Sequence, residues 1–156
     1  VEAFEQVEAG WRLVLAGSLG YEGEEILGRI AESPRKADIQ VLGYVSRKRL
    51  TELYARASVF AFPSLDEGFG MPVLEAMAAG VPVLTSNRPA LAEVSGEAAL
   101  LVDPADGAAI AAALGRLTTD DALRRDLIGR GLRRAAGFTW EKAVAKTWTV
   151  YRELLA

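Results

Sequence analysis

Two carboxylates, Glu67 and Glu75, stand with seven residues between them in the stretch FPSLDEGFGMPVLEAMAAG, Phe62 to Gly80. What separates them decides what chemistry the pair can do. Gly68 and Gly70 leave backbone amides open to close approach, while Pro72 suits the first turn of a helix that Gly80 can close. Glu67 therefore falls in a loop and Glu75 in the first turns of the helix that follows, so both can face one pocket at a helix N-terminus. Amides and the positive end of the helix dipole would hold an anion there, such as a diphosphate, without a metal. No Asp-x-Asp pair suggests a bridging divalent cation.

Each acid also has a plain structural explanation. Glu75 can stabilise its own helix start by roughly 0.3 to 1 kcal/mol, and Glu67, beside Asp66, can be a solvated loop acid. Set together at the two ends of a Gly-Phe-Gly loop, they favour a ligand. The rest of the composition narrows the chemistry further. The 156 residues contain no histidine and no cysteine, which removes the commonest base and metal ligand, thiol catalysis and disulfides. Catalysis is left to carboxylates, amines, hydroxyls and backbone. A formal net charge of -3 and a pI near 5.1 argue against a broad nucleic-acid surface. No apolar run approaches the roughly 20 residues of a membrane span, and the opening VEAFEQVEAG lacks a signal peptide's blocks. A cytoplasmic protein is expected.

The elements that must position the site follow from the apolar pattern, with 51% hydrophobic residues enough for one domain with a sizeable core. Val1, Phe4 and Val7 repeat at helical spacing with no capping residue before them, as though the element continued upstream. Arg12 to Ala16 reads as a strand, Gly17 to Gly23 as a glycine loop and Glu24 to Ile30 as a helix with Ile26, Leu27 and Ile30 on its apolar side. Ile39 to Leu42 is a second strand, and Ser46 caps a helix that turns Leu50, Leu53 and Tyr54 inward. Val59 to Phe62, Pro82 to Thr85 and Ala99 to Val102 are further strands, with a short helix over Leu91 to Val94. Beyond Asp106 the pattern is helical: to about Leu117, then from Asp120 to Ala136 with Leu123, Leu127, Leu132 and Ala135 inward. A last helix, capped by Thr139, carries the stripe Trp140, Val144, Trp148, Tyr151 and Leu155, expected to pack against the sheet domain or a neighbouring one. Gly129 and Gly131 weaken their helix by roughly 1 kcal/mol each unless close packing needs them. Strands alternating with helices predict an α/β fold, a doubly wound parallel sheet covered on both faces, with extra C-terminal helices.

In such sheets ligands bind beyond the carboxyl ends of the strands. The loops Gly17 to Gly23 and Glu67 to Gly70 both lie on that edge, so a cleft between them is expected. The glycines of the first loop do not have dinucleotide-fingerprint spacing, and Asp38 precedes its strand instead of ending it. Turn chemistry explains most of them, though Gly17 and Ser18 can approach a phosphate. Arg47 and Lys48 are most simply exposed helix-start residues, and Arg124, Arg125, Arg130, Arg133 and Arg134 a solvated helix face.

At EGFGMPVLE, Glu67 to Glu75, the chain resembles the nucleotide-sugar-dependent glycosyltransferases of the GT-B fold, the large retaining group 1 family that includes bacterial mannosyltransferases and relatives of glycogen synthase. Agreement extends through LVLAG, through VLGYVSRKRLTELYARASVFAFPSLDEGFGMPVLEAMAAGVPVLTS, to ALLVDP and to FTW at the last helix. The resemblance covers nearly the whole chain as the C-terminal, donor-binding domain. It implies that Glu67 is the catalytic-site acid approaching hydroxyls of the transferred sugar and that Glu75 binds the ribose diol, which two carboxylate oxygens suit. Gly68, Phe69, Gly70 and Met71 would contact sugar or diphosphate, and the turn from Gly43 through Tyr44 and Val45 would contact the base through its backbone. It further implies transfer with retention and no cofactor or required metal, the nucleotide diphosphate sugar being substrate.

Two features of the family are absent from this chain: an Arg and a Lys that bind the diphosphate just upstream of the first helix, and the acceptor-binding N-terminal domain. The chain alone is therefore expected to show no appreciable transfer, with any membrane association coming through the parent enzyme. The strand that would precede the first helix is central in the usual order. The remaining strands are expected either to close up in the order 39, 12, 59, 82, 99, named by first residue, or to leave a gap for upstream residues or a second copy, giving self-association. Two other functions compete: a non-catalytic nucleotide- or sugar-binding module, including an engineered fragment that keeps the fold only, and a glycosidase using Glu67 and Glu75 as its acid pair. The helix-start position of Glu75 opposes the glycosidase, since a dipole that favours the anion makes a poor acid.

Overall fold

The computed structural model describes residues 1–18, 20 and 23–155. In chain order the elements are α1 (Glu2–Glu5), β1 (Leu13–Ala16), α2 (Gly23–Glu32), β2 (Ile39–Gly43), α3 (Arg47–Arg56), β3 (Phe60–Phe62) and α4 (Met71–Ala78). There follow β4 (Val83–Ser86), α5 (Pro89–Ser95), β5 (Ala99–Val102), α6 (Gly107–Thr119), α7 (Asp121–Ala135) and α8 (Trp140–Leu154). Among the described residues, four helices start on side-chain caps that satisfy an orphan amide of the first turn. Ser46 accepts from the Arg49 amide, Asp106 from Ala109, Asp120 from Leu123 and Thr139 from Lys142. Pro89 and Pro72 occupy the starts of α5 and α4, where a missing N–H costs nothing.

Every strand pairing is parallel, as connections of helix length require. The core is built around β4, whose four residues are all buried. Successive strand side chains point to opposite faces, and the two faces of β4 serve two clusters. Val83 joins Tyr54, Val73, Met77, Leu91 and Val94 on the side of α3, α4 and α5, while Leu84 joins Val102, Ala113, Leu117 and Leu127 under α6 and α7. Helices on both faces of a parallel sheet make this a doubly wound α/β fold.

The sheet does not close up in the order 39, 12, 59, 82, 99. β1 pairs with β2 in one sheet, β3, β4 and β5 form another, and among the described residues β1 and β3 share no ladder. Side-chain tethers, instead of a ladder to β3, fix where β1 sits. Phe4 and Val7 are buried, and α1 packs on α6. Arg35 donates to the Val7 carbonyl at 2.7 Å and the Trp11 carbonyl at 3.1 Å, with its guanidinium 4.5 Å from the Phe4 ring. From the other side Arg124 donates to the Leu117 carbonyl and lies over the Trp11 ring.

Two side-chain expectations are corrected, at Leu132 and at the arginines of α7. Leu132 is exposed, because Gly131 takes the inward position: a Cβ there would stand 3.2 Å from Met77 Cγ, and the next residue turns away by about 100°. The helix expected over Glu24 to Ile30 is present as α2, with Ile26 and Leu27 exposed. Of the two partners expected for the aromatic stripe of α8, the sheet domain is not the one: the helix has no buried residue, and Trp140 is 82% exposed. Finally, the arginines of α7 are not simply solvated. Arg134 donates through Nε to the Val94 carbonyl at 2.9 Å and also to that of Glu93, and Arg124 holds Leu117 as above. No helix among the described residues is long and apolar enough to cross a membrane.

Candidate functional site

The chain leaves β3 at Phe62, whose carbonyl accepts from Thr85 Oγ1 at 2.9 Å, and enters the loop that leads to α4. Ser64 Oγ donates to the Asp66 carbonyl at 3.0 Å, which shapes the approach to Glu67. Gly70 then caps α4 in the left-handed region, φ 107°, where a side chain would be strained. Space forbids one too: a Cβ at Gly70 would stand 2.6 Å from Leu91 Cδ2. Its carbonyl takes the Val73 and Leu74 amides at 3.0 and 3.5 Å. Among the described residues the amides of Gly68, Phe69, Gly70 and Met71 donate to no protein group, so they are available to an anion at the positive end of α4.

Glu67 is half-buried and Glu75 exposed. Glu75 meets a residue that sequence reasoning did not place in the site. The Tyr54 hydroxyl, from α3, donates to Glu75 Oε2 at 3.3 Å and lies 3.4 Å from the Pro72 carbonyl. Burial first, and the neighbouring Glu75 carboxylate second, hold the Tyr54 hydroxyl well above the ordinary tyrosine range. It is a permanent donor at neutral pH, fixing one oxygen of Glu75. Tyr54 is buried, with its ring edge-on to Phe60 at 5.4 Å. Its inward-facing spacing signalled burial, but no periodicity announces a hydroxyl contact across 21 residues of chain.

The other predicted residues lie on the first sheet. The Gly17 amide donates to the Gly43 carbonyl at 2.9 Å, bringing Gly17 and Ser18 beside the turn of Gly43, Tyr44 and Val45. Tyr44 is 82% exposed, and α3 starts directly after this turn and ends near Tyr54. One helix thus joins the end of β2 to the acid on α4. Leu19, Tyr21 and Glu22 of the glycine loop lie outside the described residues. Arg47 and Lys48 are exposed, as a solvated helix start should be. The described residues include no group of three or more carboxylates close enough to hold a metal ion.

Beyond the loop lies a cavity of about 80 Å³ lined by Gly68, Phe69, Ala90, Glu93, Val94 and Phe138. The Phe69 and Phe138 rings in its lining meet edge to face with centroids 6.2 Å apart.

Known proteins similar to this chain are numerous. O-antigen chain mannosyltransferase B of Escherichia coli is 42% identical over 142 residues, which are 91% of this chain and 37% of that protein. MMP alpha-(1->4)-mannosyltransferase of Mycolicibacterium hassiacum is 43% identical over 116 residues, 72% of this chain and 28% of that protein. The solved sucrose-phosphate synthase of Thermosynechococcus elongatus superposes with a TM-score of 0.85 at 31% identity, covering 98% of this chain and 40% of that one. The chain thus spans little more than a third of the first of these relatives. The model of the glycosyl transferases group 1 family matches residues 1–134, and with it the loop, Glu67 and Glu75: the chain belongs to that family.

Proposed function

We propose that residues 1–156 form the donor-binding domain of a retaining hexosyltransferase that takes its sugar from a nucleotide diphosphate sugar. The observation that carries this reading is the start of α4, where unpaired amides of Gly68 to Met71 and the helix dipole stand between Glu67 and Glu75. Glu75, oriented by Tyr54, receives the ribose diol. Glu67 accepts from hydroxyls of the transferred sugar. Gly17 and Ser18 approach the phosphates, and the backbone of Tyr44 and Val45 meets the base. The charge developing on the leaving diphosphate is stabilised by preorganised amides and the dipole, with no metal required. Two mannosyltransferases and a sucrose-phosphate synthase among the relatives support a hexose donor.

The small share of each relative that the chain spans supports a parent enzyme with a separate acceptor-binding domain, and the split between β1 and β3 supports a preceding strand that also brings cationic side chains to the diphosphate. Alone, the chain binds donor but does not turn it over, and its open sheet edges favour self-association. The parent works in the cytoplasm. Calorimetric titration with UDP, GDP, ADP and their sugars tests the reading. One nucleotide series binds, and Glu75→Ala weakens it by at least about tenfold, as loss of a charge-assisted diol contact should. Absence of affinity for every nucleotide, or hydrolysis of a simple glycoside, would overturn it.

A further inference from the structure

The loop between Glu67 and Met71 has a mechanical problem. Gly68 and Gly70 flank Phe69, and glycine leaves the backbone more freedom than any other residue. Four amides can serve a ligand only if something outside the loop fixes their directions. Phe69 is the one large side chain available as a handle, and its ring touches Phe138 edge to face, 6.2 Å between centroids with the planes at 79°. Phe138 is itself anchored. The Arg134 guanidinium lies 4.9 Å from its ring while donating to the carbonyls of Glu93 and Val94 in α5. The Phe138 amide donates to the Ala135 carbonyl at 3.0 Å and the Gly137 amide to that of Arg134 at 3.0 Å, so the turn leaving α7 is closed. Both rings line the cavity of about 80 Å³. Without Phe138, the Phe69 ring has room to drop and carry the loop with it.

We propose that Phe138 is a positioning residue for the donor site: it acts through Phe69 to aim the Gly68–Met71 amides, and it ties the loop to the turn that begins α8. This rests on the donor-site reading above, and a ligand-free measurement separates the two. In the unliganded chain, Phe138→Ala lowers the backbone N–H order parameters of Gly68 to Met71, leaves those of β4 unchanged, and Phe138→Leu restores most of the order. Unchanged loop order parameters would overturn the positioning whatever the binding results. In titrations with GDP-mannose and UDP-glucose, each beside its nucleoside monophosphate, Phe138→Ala weakens the sugar nucleotide about tenfold. The monophosphate, which does not use the loop amides, keeps its affinity to within about twofold, the spread of a distant substitution. Lower loop order parameters with unchanged sugar-nucleotide affinity would refute the link to binding. If the unsubstituted chain binds neither pair, the donor-site reading falls and this assignment with it.

Discussion

Tyr54 joins two parts of the candidate site through one hydroxyl. Its ring is fixed by burial and by Phe60, so the donor it offers Glu75 is held in place without loss of side-chain freedom on binding. Removing the hydroxyl frees the Glu75 carboxylate to rotate. Tyr54→Phe is expected to weaken the nucleotide roughly two- to tenfold, the range of one net hydrogen bond, read by calorimetry against the monophosphate. The same substitution has a pH signature. Folding raises the Tyr54 pKa above its ordinary value of 10.0, so above that pH the unfolded chain has lost a proton that the native chain keeps. Stability from this group is complete below about pH 10 and declines as the pH rises beyond it. The wild-type unfolding free energy should therefore fall more steeply than that of Tyr54→Phe above about pH 10; parallel curves would mean that folding does not raise the Tyr54 pKa. At this scale the acids and glycines were legible because each carries a local signal: Pro72 at a helix start, Gly80 at its end, glycines on either side of Phe69. The hydroxyl partner was not, since a contact between α3 and α4 depends on how both helices lie on β3 and β4.

Among the elements, α7 shows how local propensity and packing divide. Gly129 and Gly131 are equivalent by propensity, each costing a helix interior up to about 1 kcal/mol relative to alanine. Their surroundings differ. A Cβ at Gly131 meets Met77 Cγ at 3.2 Å and the Met77 main chain at 3.6 Å, whereas at Gly129 it meets the flexible end of Arg133 at 3.6 Å. Met77 is fully buried and cannot move aside without disturbing α4, the helix that carries Glu75. Gly129→Ala should raise the unfolding free energy by roughly 0.5 to 1 kcal/mol, and Gly131→Ala should lower it by about 1 to 3 kcal/mol, measured by chemical denaturation; stabilisation by both would mean α4 and α7 are not in close contact. Helix starts at Ser46, Asp106, Asp120 and Thr139 were legible because a cap is a local hydrogen bond. Which side of α7 faces inward was misread at Leu132, because the closest approach uses a glycine, which hydrophobic periodicity does not count. The stripe of α8 was correctly seen as one surface, but a stripe alone does not say what covers it.

For the whole molecule, the division of the sheet matters more than its strand count. The alternation of strands and helices made the fold class legible, yet ladder continuity depends on which edges meet, and no single strand encodes that. The two sheets differ in what holds them. β4 is buried throughout, while β1 and β2 have no buried residue, and their attachment runs through α1 on α6 and the tethers of Arg35 and Arg124. Local opening costs least where few apolar contacts must break. Amides of β1 and β2 should therefore exchange at least about tenfold faster than those of β4, corresponding to an opening that costs at least about 1.4 kcal/mol less. Arg35→Met should accelerate exchange in β1 and β2 further without changing β4. Equal protection in both sheets would show that they open as one unit and that the split is not an energetic one. Repeating the measurement across protein concentrations tests the proposed self-association: if copies pair along the edges of β1 or β3, protection there rises with concentration, and protection independent of concentration would rule that pairing out.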